Sequence, residues 1–120
     1  MEREKPHKKL HLWKESMDLV IALYRITKEF PREEEFGLKS QLRRAAVSVP
    51  SNIAEGLTRA SKKEKLHFLN YAQSSLSEID AQIEIAGRLQ LVSGEDSDLV
   101  ATHLTLVEKL LSGLIKRIKS

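Results

Sequence analysis

The sequence has no cysteine. That removes disulfides, thiolate metal sites and cysteine nucleophiles together, and it permits a reducing compartment. Three prolines and five glycines in 120 residues are too little punctuation for an all-β chain, which needs a turn every several residues. No stretch approaches the ~18 uninterrupted apolar residues of a membrane helix. The N-terminus, MEREKPHKKLHLWK, is charged and lacks the apolar run of a secretory signal. A cytoplasmic protein with no membrane segment is expected. An excess of one charge is also missing, since the net charge is only +3. What is present is 41% hydrophobic and 31% charged residues, a balance that excludes disorder and suits one domain with its own core. The expectation is a flexible basic tail over residues 1–10 and a single domain over 11–120. The charge is unevenly placed: residues 1–65 hold 15 Lys/Arg against 10 Asp/Glu, and residues 66–120 hold 5 against 7. Such asymmetry is compatible with a basic face.

Apolar periodicity marks four helical segments. From Leu12 to Phe30, one stripe holds Trp13, Met17, Val20, Ile21 and Tyr24, and an adjacent one holds Leu12, Leu19, Leu23, Ile26 and Phe30. Pro31 should end this helix by biasing Phe30 out of the α region. PREEEF, residues 31–36, then reads as a charged loop. The second segment runs from Gly37 to Gly56 or slightly beyond and contains Pro50. Leu38, Leu42, Ala46, Val49, Ile53 and Leu57 keep one phase across the proline, which favours a single helix kinked near Pro50 over two separate ones. Ser61-Lys62-Lys63-Glu64 is a capping box that opens the third segment. Its core stripe is Phe68, Leu69, Ala72, Leu76, Ile79, Ile83 and Ala86, and Val92-Ser93-Gly94 closes it. The fourth helix should start near Asp96 or Ser97 and run to about Ile118, with Lys116, Arg117 and Lys119 complementing its dipole. Four helices on short loops predict an all-α, antiparallel up-down bundle.

The first and fourth segments are apolar over more than the roughly 100° that a bundle helix needs. Part of each should therefore face another subunit, with deeper burial in the monomer as the alternative. Leu19, Leu23, Ile26, Leu104, Leu111 and Ile115 are the candidate interface residues.

Catalytic and metal constellations are thin. A di-iron bundle needs two Glu-x-x-His motifs, and only Glu64-x-x-His67 fits, with His67 turned away from the core stripe. His7 and His11 lie before the first clear helix, among lysines. His103 falls on the apolar arc of the fourth helix and reads as a packed or interface histidine. The pairs Asp80/Glu84 and Glu15/Asp18 lie on polar flanks, as solvated surface does. Phosphate-binding glycine loops and nucleophile elbows are missing from the sequence. No enzyme and no cofactor is expected. Basic residues offer more: Lys39, Arg43 and Arg44 on the second helix, then Arg59, Lys62, Lys63 and Lys65 around the next loop. These are the candidate phosphate-binding residues, weighed against an ordinary solvated face.

The run FGLKSQLRRAAVSVPSNIAEGLTR, residues 36–59, resembles the signature of bacterial four-helix-bundle proteins encoded in intervening sequences of large-subunit ribosomal RNA genes. LWKESMDLVIALYRITKEFP upstream and FLNYAQSSLSEIDAQIEIA downstream are similar to that family's first and third helices. The resemblance implies an up-down bundle assembling as a homopentamer, its molecular role unassigned. A related branch, the accessory protein of diversity-generating retroelements, implies binding to nucleic acid (RNA or DNA) and to a reverse transcriptase. Arg43, Arg44 and Arg59 lie inside the matched run. The other reading is a structural oligomer whose partner is a protein.

Overall fold

A computed structural model describes His7 and residues 10–120; most of the expected N-terminal tail lies outside them. Four α-helices are present among the described residues: α1 (His11–Thr27), α2 (Leu38–Thr58), α3 (Lys62–Arg88) and α4 (Gly94–Lys119), with a 3-10 turn at Arg32–Glu34 between the first two. α2 packs against both α1 and α3, α4 against both α3 and α1, and the diagonal pairs do not meet. That is the four-helix bundle the periodicity predicts. Cross-helix pairs give its direction. Gln41 meets Gln82, the Ser48 and Ser75 hydroxyls touch, and Gly56 faces Phe68, so α2 and α3 run antiparallel.

The core is a column of aliphatic side chains, with Leu19, Leu23, Leu42, Val49, Ile53, Leu69, Leu76, Ile79, Val100, Val107 and Leu111 fully enclosed. In α1 the buried stripe is Leu12, Ser16, Leu19, Leu23 and Thr27, spaced three and four apart as one helix face requires. The two polar members are satisfied locally: Ser16 donates to the Trp13 carbonyl at 2.7 Å and Thr27 to the Leu23 carbonyl at 2.7 Å. They therefore enter the core without an unpaired hydroxyl.

The helix ends refine the expectations. α1 stops at Thr27, three residues before Phe30, and the Phe30 amide folds back to the Thr27 carbonyl at 3.0 Å. The Phe30 ring still reaches the core. PREEEF is more than a loop, because Glu34 accepts the Leu38 amide at 2.9 Å and so caps α2 with a carboxylate where the helix dipole favours one. α2 passes through Pro50 as one uninterrupted helix, which excludes the two-helix alternative. Ser61 accepts the Glu64 amide at 3.1 Å, as the capping box predicts. The glutamate, however, meets the serine hydroxyl at 3.3 Å instead of its amide. α3 ends at Arg88, well before the Val92-Ser93-Gly94 stop. The Leu91 amide bonds the Ala86 carbonyl and the Gln90 amide bonds that of Gly87, a Schellman closure with Gln90 at φ 61° in the position glycine usually takes. Ser93, and not Asp96 or Ser97, caps α4 by accepting the Asp96 amide at 3.0 Å. Its φ/ψ of −74°/161° is extended, as an N-cap must be.

Candidate nucleic-acid interface

The seven basic residues singled out in the sequence divide into two groups. Three of them hold the fold together. Lys39 is paired with Glu35 at 3.0 Å, its side chain only 14% exposed. Arg43 does not face away from the core as an open cation. Its Nε donates to Thr27 Oγ1 at 2.9 Å, its Nη2 donates to the Tyr24 carbonyl at 3.0 Å, and its guanidinium lies 4.3 Å from the Tyr24 ring centre. Tyr24 and Thr27 belong to the last turn of α1, whose carbonyls lack helical partners, so Arg43 closes that turn from the neighbouring helix. Arg59 is paired with Glu55 at 2.8 Å and lies 4.6 Å from the Phe68 ring centre.

The remaining four are Arg44, Lys62, Lys63 and Lys65, and the structure does not bring them together. Arg44 stands exposed on the rim of a groove between α2 and α3, beside Phe36, Glu78 and Gln82. The helix rise of 1.5 Å puts it about 20 Å along α2 from the end where the lysines begin. Lys62 and Lys63 are exposed and Lys65 is half-buried on the first turn of α3.

The lysines acquire different neighbours. Gly87 of α3 faces Ser97 of α4, and Asn70 and Gln73 share a groove with Glu108 and Ser112, so α3 and α4 are antiparallel. The last turn of α4, with exposed Lys116, Arg117 and Lys119, therefore lies at the end where α3 begins. None of these six cations forms an ion pair with a described residue. The opposite end carries Glu33, Glu34 and Glu35 before α2 and Glu95, Asp96 and Asp98 at the start of α4. Arg25, Lys28, Arg32, Lys39 and Arg88 share that end, so the bundle is polarised along its axis, strongly basic at one end and mildly acidic at the other. Linear charge counting missed this because the two basic clusters are about fifty residues apart in sequence and adjacent only through the fold.

The candidate interface residues need correction. Leu19, Leu23 and Leu111 have no exposure, and Leu104 and Ile115 keep 3% and 6%. They fill the core of a single chain and cannot face a second one. Ile26 is half-buried and lines a groove between α1 and α4 with Ile21, Leu99 and His103. The apolar side chains left exposed on these two helices are Ile21, Tyr24, Leu99 and Leu106. The wide arcs are absorbed mostly by partial burial at their edges, where Trp13, Val20, Leu110, Leu114 and Ile118 pack against the core.

Of the carboxylates, Glu108 has its affinity for a proton raised, first by partial burial and then by Asp80 nearby. No three His, Asp or Glu side chains among the described residues are placed to hold a metal ion, and no described helix is long and apolar enough to cross a membrane.

The 23S rRNA-intervening sequence protein family matches residues 8–113, and the chain belongs to it. Among solved structures it is similar to a protein of unknown function from the S23 ribosomal protein family of Bacteroides thetaiotaomicron. The TM-score is 0.78 at 22% identity, over 88% of this chain and 98% of that one. At that identity the likeness speaks for the fold. No curated protein matches.

Proposed function

We propose that the chain is a non-enzymatic, self-associating bundle that binds nucleic acid through phosphate contacts at its basic end. The observation that carries this reading is the convergence of Lys62, Lys63, Lys65, Lys116, Arg117 and Lys119 on one end, without ion pairs to other described residues. Lysine and arginine neutralise phosphates and release counterions, and such contacts position a strand without reading its sequence. A cluster of this size grips weakly in one copy. In a homo-oligomer, a pentamer by family resemblance, several copies act on one strand and affinity multiplies without new contacts.

The test is fluorescence anisotropy with a labelled RNA and a labelled DNA at two salt concentrations. Binding should depend little on sequence and fall with salt, each neutralised phosphate adding roughly −0.7 to −0.9 to the log–log slope. Lys62→Glu with Lys116→Glu should abolish it while helix content stays intact. Absence of binding to either ligand at low salt would favour the second reading, a scaffold, for which the exposed apolar groove between α1 and α4 is the specific observation.

A further inference from the structure

Aromatic residues make up 5% of this chain, yet Phe68 and Tyr71 share one spot with His67 on α3. The His67 and Tyr71 ring centres are 4.6 Å apart at 67°, those of His67 and Phe68 5.7 Å, and those of Phe68 and Tyr71 6.4 Å. The Arg59 guanidinium covers Phe68 from the C-cap of α2. Phe68 is half-buried, but His67 is exposed and Tyr71 is 51% exposed. Exposed large apolar side chains are scattered over most proteins. Three rings in mutual edge contact, held from behind by a stacked arginine, form a fixed platform instead.

The platform begins where the lysines end. Lys63, His67 and Tyr71 recur every four residues, so they lie along one outward strip of α3, and Ser74 on the same strip is also exposed. The last turn of α4, with its own cations, flanks the start of this strip through the antiparallel pairing. Cations beside exposed ring faces are the two elements by which proteins hold single strands. The cations follow the phosphates, and unpaired bases stack on the rings with little sequence preference. A duplex keeps its base faces buried in its own stack and offers a platform nothing but phosphate.

We propose that the basic end and the His67–Tyr71 step together form a site for single-stranded nucleic acid, with bases stacking on Tyr71 and His67. This rests on the nucleic-acid reading above and adds a strand preference that phosphate contacts alone do not give.

The experiment uses the full chain and four labelled probes of equal phosphate count: oligothymidylate, oligouridylate, a mixed-sequence duplex, and an abasic strand. Anisotropy is measured at low salt. The wild type should bind both single strands more tightly than the abasic strand. Tyr71→Ala should weaken single-strand binding at least fivefold, the lower edge of what loss of base–aromatic stacking gives on alanine substitution. Duplex and abasic binding should not change, and Tyr71→Phe should retain wild-type affinity. Losing the ring contacts should lower the melting temperature of Tyr71→Ala by only a few degrees, and a loss confined to the base-bearing single strands separates stacking from a structural role. Equal wild-type affinity for all four probes, or an equal loss on every probe in Tyr71→Ala, would overturn the platform and leave the phosphate reading standing. No binding of any probe would overturn both.

Discussion

Arg43→Ala is the substitution that best separates a structural arginine from a ligand-binding one. It deletes two hydrogen bonds, to Thr27 Oγ1 at 2.9 Å and to the Tyr24 carbonyl at 3.0 Å, and a cation–π contact at 4.3 Å. Hydrogen bonds to charged groups contribute about 1.5–3 kcal/mol each when the abandoned partner is buried and unpaired. Here the abandoned partners are well placed to recover. The Thr27 hydroxyl keeps its bond to the Leu23 carbonyl, and the bond to Tyr24 lies at the surface, where water replaces it. The two bonds together then count for about 1–1.5 kcal/mol, and an exposed cation–π contact adds about 0.5 kcal/mol. The expected loss is about 2 kcal/mol, or roughly 8 °C in melting temperature for a chain between the size classes usually tabulated. Thermal and urea melts followed by circular dichroism, at one fixed protein concentration because the proposed self-association would couple to stability, measure it. Arg43→Lys should recover little, since a lysine cannot span both acceptors and the ring face at once. The control, Arg44→Ala, should stay within about 0.5 kcal/mol as an exposed substitution. A melt of Arg43→Ala within 2 °C (about 0.5 kcal/mol) of wild type would refute the account, as would an equal cost for Arg44→Ala.

Gly56→Val should destabilise by about 2 kcal/mol in urea, because a Cβ there meets the Lys65 carbonyl oxygen at 3.2 Å and Phe68 Cβ at 3.3 Å and forces α2 from α3; wild-type stability would show that the close approach is dispensable. Gln90→Gly should stabilise by about 0.5–1 kcal/mol by relieving the left-handed φ of 61°, and Gln90→Ala should give no such gain. Glu108 has a raised folded pKa, so ionising it disfavours the folded state at neutral pH, and this cost disappears as pH falls below the ordinary carboxylate value. Glu108→Gln should accordingly melt higher than wild type at pH 7, with the difference shrinking in acid; a constant difference would point to another cause. Ile21→Glu with Leu99→Glu, at positions 46% and 48% exposed, should leave helix content intact and lower the mass found by native mass spectrometry if the proposed oligomer uses this flank, whereas an unchanged mass would exclude the flank as the contact.

The helices were legible in the sequence and the division between core and free surface was less so, for different physical reasons. Helical phase is a local property, so Leu38, Leu42, Ala46, Val49 and Ile53 located the buried face of α2 and carried it through Pro50. Caps were legible where one residue type decides, as at Ser61, and less so at α4, where Asp96 and Ser97 are the expected caps and Ser93 takes the role. Apolar width, by contrast, does not say whether an edge residue meets a neighbouring helix or another chain. Leu104, Leu111 and Leu19 looked like surplus and are the centre of the core. Arg43 sat on the polar flank of its helix, where nothing in the sequence announced that Tyr24 and Thr27 would come within reach. In the sequence Lys116 and Lys119 are dipole partners of their own helix and nothing more, because only the pairing of α3 with α4 brings them to Lys62.

That pairing also decides whether self-association and nucleic-acid binding can coexist. The exposed apolar groove uses Ile21 and Ile26 of α1 and Asp96 to His103 of α4, whereas the α4 cations of the basic end begin at Lys116, with only Lys109 between. Thirteen residues at 1.5 Å per residue separate them by about 20 Å along the helix. A second chain seated on the groove would leave the basic end and the Tyr71 strip uncovered, so every copy in a ring would present its own. If the grip is collective, breaking the groove contact must weaken binding although no cation has been touched, since each lost copy removes phosphate contacts and lowers the salt slope with them. Ile21→Glu with Leu99→Glu puts two negative charges far from the lysines, beyond the ~10 Å screening length at ordinary salt. Any loss of affinity in that variant therefore reports assembly and not local electrostatics. Dissociation with unchanged affinity would mean that a single basic end suffices, and the argument from multiplicity would fall.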